Sequence, residues 1–292
     1  MDWLERMNRA LDYIEENLEG EIDYTTAAQQ ACCSAYNFQR MFAFIAGISL
    51  AEYVRRRRMT QAGIALQQGA KVIDAALRFG YDSPVSFARA FREIHGVNPS
   101  RARSGKADLQ AYSRISFQIS IKGENPMKYR IEDKPAFRIF GIEGIYNLSG
   151  EGGGPNELWR KELCERLLRD AGITPAKPPR WAWCGLNGAC GYRDTGEGTF
   201  PYMLFAFAGP DSKTEGYTVV EIPAQTYAIF PSEPFKWDNK IGETINALYQ
   251  RFYSEWLPGS GYELAGGMDF EIYGGSTAMG QVELWYPIKK KD

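Results

Sequence analysis

The sequence predicts a multidomain protein, in which an all-α domain is followed by an α+β domain. In the first hundred residues, apolar side chains recur at the 3.6-residue spacing of helices. The later part adds segments in which apolar and polar residues alternate, as they do in strands. The length of 292 residues also suits two domains of about 100–200 residues each. We place the first domain at residues 1–106, a linker with a leading strand at residues 107–126, and the second domain at residues 127–292.

The composition is that of an ordinary globular protein. Hydrophobic residues make up 44% of the chain and charged residues 24%. No apolar run approaches the roughly 18 residues of a membrane span, and the first eight residues lack the apolar core of a signal peptide. The five cysteines form no CxxC array, which predicts free thiols in a reducing compartment. We therefore expect a cytoplasmic protein that does not contact a membrane.

The single histidine, His95, limits the chemistry that we expect. A metal site with several His ligands cannot be built from it, and a Ser-His-Asp triad would have to use this residue, which follows a predicted helix. We therefore predict no metal, no cofactor and no catalytic residue.

Two segments of the first domain repeat at an offset of 49 residues. Residues 34–48 and residues 83–97 both read Ser-x3-Phe-x-Arg-x-Phe-x2-Ile-x-Gly, followed by a β-branched residue. The serine suits an N-cap and the glycine suits a left-handed C-cap, so each segment is predicted to be a helix. A short alanine-rich helix and a tight turn precede each segment. The first domain is therefore predicted to be a double helix-turn-helix domain.

The face opposite the predicted core carries one arginine at the same position in each copy, Arg40 and Arg89. Residues 31–106 hold twelve Lys and Arg against four Asp and Glu, within a chain whose net charge is −2. A basic block inside an acidic chain is typical of a nucleic-acid contact. A solvated surface, with the two arginines in salt bridges, is the alternative.

The spaced motifs of the first domain resemble the DNA-binding domain of the AraC/XylS family of bacterial transcription regulators. The matching segments are residues 38–42, 53–55 with 57–59, 80–83, 87–91 and 96–100. The resemblance implies that two recognition helices enter successive major grooves, about 34 Å apart. It implies DNA contacts from two sets of residues, which are Tyr36, Asn37, Gln39 and Arg40 in the first unit and Pro84, Val85, Ser86 and Arg89 in the second.

The sequence departs from that family's pattern in two places. Cys32 stands in the first turn, where a glycine is common, and Pro84 with Val85 replaces a glutamine pair of some relatives. The operator sequence therefore cannot be taken over from relatives.

The second domain contains a fainter repeat, at an offset of 88 residues. Residues 129–136 match residues 217–224, and each copy is followed by an apolar strand, a helix and two further strands. Two β-α-β-β units are thus predicted to pair about a pseudo-twofold axis, with the helices on one side of a curved sheet. The predicted helices are residues 156–171 and 238–256, and the later strands are 137–142, 181–186, 202–208, 225–230, 268–273 and 281–288. A leading strand is predicted around Phe117, Ile119 and Ile121.

This half resembles the GyrI-like effector-binding domain. The matching residues are Gly185-Leu186, Tyr202, residues 253–258 with 261–264, residues 270–273 and residues 282–288. The resemblance implies a pocket for a small molecule.

Alternation along the last strand suggests where the pocket lies. If Val282, Leu284 and Tyr286 pack on the helices, Glu283 and Trp285 face a groove between the repeats. A carboxylate among aromatic rings suits a lipophilic cation. The predicted effector contacts are Trp181, Trp183, Tyr202, Trp237, Phe270, Glu283 and Trp285. In the alternative, the aromatic residues are core and Glu283 is a solvated acid at a strand edge.

The sequence therefore predicts a sequence-specific transcription regulator. Its expected partners are double-stranded DNA, a small lipophilic or cationic effector, and RNA polymerase. One alternative is a hydrolase that acts on a reactive small molecule with Glu283 as general base. Another is a protein that sequesters a drug, with a DNA-binding domain that only tethers it.

Overall fold

The structure is a computed structural model. It describes residues 3–105, 107–118, 126–147, 153–173, 185–191, 193, 195, 199–237, 241–276 and 278–291. The chain divides into two compact units, Met1–Gln118 and Ile119–Asp292. Among the described helices, none has both the length and the apolar character that a membrane span needs.

The first unit is all-α, as predicted. Its helices are α1 (Trp3–Glu16), α2 (Tyr24–Gln30), α3 (Ala35–Ala46), α4 (Leu50–Gln67), α5 (Val72–Arg78), α6 (Pro84–His95) and α7 (Pro99–Arg103). Helices α2 and α3 form the first helix-turn-helix unit, and α5 and α6 form the second. The longer helix α4 connects the two units.

Both recognition helices begin and end at the predicted capping residues. The Ser34 hydroxyl accepts a hydrogen bond from the backbone N–H of Asn37, and the Ser83 hydroxyl accepts one from Ser86. Gly47 and Gly96 both adopt φ 72°, the left-handed conformation that ends a helix. The repeat therefore encodes two equivalent helices.

The segment of residues 107–118 differs from its prediction. It contains no strand, and it packs on the first unit. Phe117 is buried, and its ring lies 6.1 Å from that of Phe42, centroid to centroid. The alternation that suggested a strand at Phe117 is instead that of an extended chain on a helical surface; Ile119 and Ile121 lie outside the described residues.

The second unit is an antiparallel sheet with helices. Its strands are β1 (Arg130–Lys134), β2 (Phe137–Asn147), β3 (Asn187–Cys190), β4 (Thr199–Phe207), β5 (Thr218–Ile222), β6 (Gln225–Pro231), β7 (Tyr262–Leu264), β8 (Asp269–Gly275) and β9 (Gly280–Lys290). A 3₁₀ turn (Pro155–Trp159) leads into helix α8 (Lys161–Asp170). Helix α9 (Ile241–Arg251) continues into a π-helical turn (Phe252–Trp256) and a last helical turn (Leu257–Gly259).

The strand order is β1-β6-β9-β8-β3-β4-β2-β5, with β7 paired to β9. The repeats relate β1 to β5, β2 to β6, β3 to β8 and β4 to β9. When each strand is replaced by its counterpart, the same order is obtained in reverse, which is the predicted pseudo-twofold arrangement. The first strand of each repeat pairs with the second strand of the other, β1 with β6 and β5 with β2. The strand predicted at residues 181–186 is wrong in its C-terminal part, since Leu186 precedes β3; residues 181–184 lie outside the described residues.

The two faces of the sheet have different roles. Tyr286 of β9 contacts the rings of Tyr249 and Phe252, so it faces helix α9 and the π-helical turn. Leu284 shares this face, and so does Glu271, its partner in the register of β8 and β9. Phe270 and Trp285 face the opposite side, where their rings pack with Tyr227.

Candidate functional sites

The second recognition helix, α6, presents its predicted contact residues to solvent. Pro84, Val85 and Ser86 are exposed, and Val85 is 80% exposed. The side chain of Arg89 is 84% exposed and lies 3.4 Å from the Glu93 carboxylate, a weak surface pair. Helix α6 therefore offers an apolar tip followed by a solvent-exposed guanidinium.

The first recognition helix, α3, is different. Gln39 and Arg40 are each only 7% exposed, although their helical positions predicted an outward face. The Arg40 guanidinium donates a hydrogen bond to the Tyr36 hydroxyl at 3.0 Å and lies within 5.7 Å of the Tyr36 and Phe44 ring centroids. Cation–π attraction to these rings favours the folded-back arginine rotamer. Tyr36 and Asn37 are half-buried.

The four consecutive arginines of α4 are largely engaged within the first unit. Arg55 and Arg56 both pair with Glu52, and Arg57 pairs with Glu15. Arg58 donates hydrogen bonds to backbone carbonyls near the end of α1. The formal charge of this block therefore overstates the positive charge that it can offer to phosphate.

The second unit contains a carboxylate enclosed by tyrosines. Glu271 of β8 accepts hydrogen bonds from the hydroxyls of Tyr202 (3.1 Å), Tyr273 (3.0 Å) and Tyr249 (2.9 Å). Trp159 donates its indole N–H to the Tyr202 hydroxyl at 3.2 Å, and its ring lies edge-on to that of Tyr273. Two strands, β4 and β8, together with helix α9 and the 3₁₀ turn, thus bring their side chains to one acid.

The tyrosines at this site are held as hydrogen-bond donors. Burial, reinforced by the negative charge of Glu271, raises the pKa of Tyr202 and of Tyr273 well above the ordinary value. Glu271 and Tyr273 remain partly exposed, whereas Tyr202 is buried. Among the residues that the structure describes, no Lys or Arg pairs with Glu271, whose partners are the three hydroxyls.

A glycine makes this arrangement possible. Gly188 of β3 lies opposite Glu271 in the sheet register. A Cβ at this position would stand 2.2 Å from the Tyr202 hydroxyl and 2.7 Å from a Glu271 carboxylate oxygen. Only a residue without a side chain leaves room for both groups.

The predicted acid, Glu283, lies on the other face and is already paired. Its carboxylate forms two hydrogen bonds of 2.8 Å with the Arg130 guanidinium and accepts a third from the Trp285 indole. Partial burial acts to raise the pKa of Glu283, but the bonds from Arg130 and Trp285 outweigh it and hold the pKa below its ordinary value. A carboxylate held in this way is a poor general base.

Of the other predicted effector contacts, Trp285 lies with Glu283 and Phe270 on one face, but the remaining described residues do not join them. Tyr202 lies at Glu271, whereas Phe270 packs in the cluster on the opposite face. Trp237 is buried and donates its indole N–H to the backbone of Ser276. Trp181 and Trp183 lie outside the described residues. In the described part of the chain, no cluster of three or more His, Cys, Asp or Glu could hold a metal ion.

Sequence reasoning chose Glu283 instead of Glu271. The two acids lie on opposite faces of the neighbouring strands β9 and β8, and the sequence does not show which face holds the pocket. The signal was present, since Glu271 shares its strand face with Tyr273. Arg130, which occupies Glu283, comes from the other repeat and reaches it only through the exchange of β1. Strand alternation within one repeat could not show this.

Comparison with known proteins agrees with both halves of this description. A family model described as "Integron-associated effector binding protein" matches residues 130–288, more than half of the chain, and a helix-turn-helix domain model matches residues 27–105. The Right origin-binding protein of Escherichia coli K12 is 30% identical over 274 residues, which cover 90% of this chain and 88% of that protein.

The chain belongs to the family of integron-associated effector binding proteins. It is an AraC-type helix-turn-helix DNA-binding regulator with a C-terminal, GyrI-like effector-binding domain. The HTH-type transcriptional activator AarP of Providencia stuartii is 38% identical over 98 residues, 33% of this chain and 73% of that protein. YkgA of Escherichia coli K12 is 30% identical over 152 residues, 52% of this chain and 63% of that protein, less than two thirds of its length.

Proposed function

We propose that this family member reads operator DNA with both helix-turn-helix units, while its second unit senses a lipophilic cation at Glu271. The observation that carries the proposal is the Glu271 carboxylate. Three tyrosine hydroxyls solvate it, and in the described part of the chain no cation neutralises it. The site therefore presents a carboxylate between aromatic side chains.

A bulky organic cation matches this chemistry better than other ligands. The carboxylate attracts its charge, and the faces of Trp159, Tyr202 and Tyr273 contribute cation–π and apolar contacts. A small hydrated cation would gain the charge interaction but lose its water without apolar compensation. An anion would be repelled by Glu271. We therefore assign the effector to the class of lipophilic cations.

The test uses tetraphenylphosphonium as the probe and the full chain in calorimetry. Glu271→Gln keeps the size but removes the charge, and its amide leaves one oxygen to accept from the tyrosine hydroxyls. We expect this change to weaken binding by roughly tenfold or more, since a charged contact is worth about 1.5–3 kcal/mol. Glu283→Gln, on the opposite face, is the matched control and should bind as the parent does. Binding that is lost with Glu283→Gln and kept with Glu271→Gln would move the pocket to the other face.

We assign base reading chiefly to Val85, Ser86 and Arg89 of α6, because these residues are exposed. Arg89 can pair with guanine, and Pro84 and Val85 can contact a thymine methyl. Tyr36, Asn37, Gln39 and Arg40 would act after the Arg40 side chain leaves the rings of Tyr36 and Phe44. Selection of bound duplexes from a random pool tests this assignment. Arg89→Ala should relax the motif at one or two positions, and binding that varies only with salt would contradict it.

Further parts of the proposal concern the cell. We propose action in the cytoplasm, where the DNA is, and RNA polymerase as the protein partner through which bound regulator changes initiation. An operator next to a regulated gene distinguishes this role from simple sequestration of a drug. We do not propose hydrolysis, because Glu283, the base that it would need, is held by Arg130.

A further inference from the structure

The segment of residues 107–118, here called the splint, packs on the helices of the first unit and is held there by hydrogen bonds. Its backbone N–H groups bond to side chains instead of to a neighbouring strand. Gln110 donates to His95 Nδ1 (3.2 Å), Tyr112 to the Thr60 hydroxyl (3.0 Å), Ile115 to the Tyr53 hydroxyl (3.2 Å) and Phe117 to Asn8 Oδ1 (2.8 Å). Four separate side chains thus hold four backbone donors.

The acceptor side chains are themselves held in place. The Thr60 hydroxyl donates to the backbone carbonyl of Arg56, and the Tyr53 hydroxyl donates to Glu15. His95 accepts at Nδ1, so its Nε2 donates to the carbonyl of Met59 at 3.0 Å. These three acceptors therefore have a defined orientation, which favours one register of the splint on the helices.

Carbonyl groups of the splint are bound as well. The Arg57 guanidinium donates to the carbonyl of Tyr112 at 2.6 Å, while it pairs with Glu15. Asn8 donates to the carbonyl of Phe117 at 3.0 Å, which makes a reciprocal pair with the bond that it accepts. Satisfying both donors and acceptors allows an extended chain to lie on a helical surface at little cost.

The surface of α4 is shaped to receive the splint. Gly63 lies inside α4, where a glycine costs about 1 kcal/mol relative to alanine. A Cβ there would stand 2.9 Å from the Leu109 methyl group and 3.5 Å from the His95 ring. The glycine leaves space for the splint at the expense of helix stability.

The splint touches both recognition helices. Its start is bonded to His95, the last residue of α6, and its end packs through Phe117 on Phe42 of α3. Between these points it is bonded to Thr60 and Tyr53 of α4, the helix that joins the two units. A single extended segment thus spans from one reading helix to the other.

We propose that the splint sets the distance between the two recognition helices and thereby the spacing of the two DNA segments that the chain can read together. Residues that hold the splint are positioning residues for DNA recognition, although none of them needs to contact DNA. The inference rests on the proposed reading of two major grooves. Loosening the splint should leave each helix-turn-helix unit able to bind its own DNA segment. It should lower the gain in affinity that comes from binding both DNA segments at once.

The test compares two duplexes, one that carries the selected motif and one in which two base pairs are inserted between its halves. In the parent chain the insertion should weaken binding roughly tenfold or more. The reason is that the inserted base pairs rotate one major groove away from the second helix-turn-helix unit. Two single variants of the full chain, Thr60→Val and Asn8→Ala, should each reduce this penalty to about threefold or less. Affinity for a single half should change less than twofold.

Asp23→Ala is the matched control. It removes the N-cap of α2, which costs about 1 kcal/mol, without touching the splint. It should keep the full insertion penalty. The inference is overturned if Thr60→Val and Asn8→Ala keep the parent's penalty, or if Asp23→Ala loses it equally.

Hydrogen exchange of the DNA-free chain separates failure of the inference from failure of the proposed function. The amides of Gln110, Tyr112, Ile115 and Phe117 should exchange slowly in the parent, and the amide of Tyr112 should exchange faster in Thr60→Val. If no operator is found but these amides behave as expected, the reading of two grooves fails and the splint remains a support of the unit. Fast exchange in the parent refutes the splint whatever DNA is found.

Discussion

Glu271 shows how much of the candidate pocket depends on single atoms. Its two carboxylate oxygens accept three hydroxyl donors from β4, β8 and α9, and Gly188 provides the space for them. Each hydrogen bond to a charged group contributes about 1.5–3 kcal/mol when its partner would otherwise be buried and unsatisfied. The arrangement is therefore sensitive to one added methyl group.

Gly188→Ala tests this sensitivity. The added Cβ must displace the Tyr202 hydroxyl or the Glu271 carboxylate, so we expect loss of cation binding and a decrease of about 1–3 kcal/mol in the free energy of unfolding. Calorimetry with tetraphenylphosphonium and urea denaturation measure the two effects. Gly242→Ala, in α9 with open space around the added Cβ, should bind normally and be neutral or slightly stabilising. Unchanged binding by Gly188→Ala would mean that the cation does not reach Glu271.

His95 gives the first unit a dependence on pH. Burial lowers the pKa of His95 below its ordinary value near 6.5, and both ring nitrogens are engaged as in the neutral form. Because the folded-state pKa lies below the unfolded one, the stability contributed by neutral His95 is present above about pH 6.5 and decreases as the pH falls below that value. The free energy of unfolding should therefore decrease from pH 7.5 to pH 5.5.

The comparison for this prediction is His95→Gln, measured by urea denaturation across the same pH range. His95 is the only histidine, so few other groups titrate in this window. The variant should show a much flatter dependence on pH. Parallel curves for the parent and the variant would assign the effect to other groups.

At the level of elements, the exchange of β1 and β5 ties the two repeats together. Among the described strands, β1 lies at the edge of the sheet beside β6, and Arg130 reaches past β6 to Glu283 of β9. Because of this exchange, Glu283, which the sequence predicted to be a ligand contact, is paired with Arg130 of the other repeat. The exchange also places Arg130, Glu132 and Lys134 of β1 on the face opposite α9.

A double-mutant cycle of Arg130→Ala and Glu283→Ala measures this link between the strands. Both side chains are partly exposed, so we expect a coupling free energy of about 1 kcal/mol, well below that of a buried pair. Arg130→Ala alone should cost more than the pair's coupling, since it leaves Glu283 half-buried without its cation. A coupling near zero in urea denaturation would show that the ion pair does not hold β1 in place.

For the whole molecule, the division into two compact units predicts separable responses to the two classes of ligand. Tetraphenylphosphonium should stabilise the second unit by about 2.7 kcal/mol at a concentration of 100 times Kd, and operator duplex should stabilise the first. Calorimetric scans of the full chain should show one transition moved by the cation and the other moved by DNA. Movement of both transitions by either ligand would instead reveal strong coupling between the units.

The sequence by itself determined the helix-turn-helix repeat, its caps at Ser34, Ser83, Gly47 and Gly96, and the two β-α-β-β units. These features are local, because caps, periodicity and turns depend on neighbours in the chain. The tertiary structure decided which acid is enclosed by tyrosines, that Arg40 folds onto Tyr36 and Phe44, and that residues 107–118 belong to the first unit. Each of these depends on partners far apart in sequence, such as Arg130 with Glu283 or Phe117 with Asn8, and hydrophobic periodicity carries no information about such pairs.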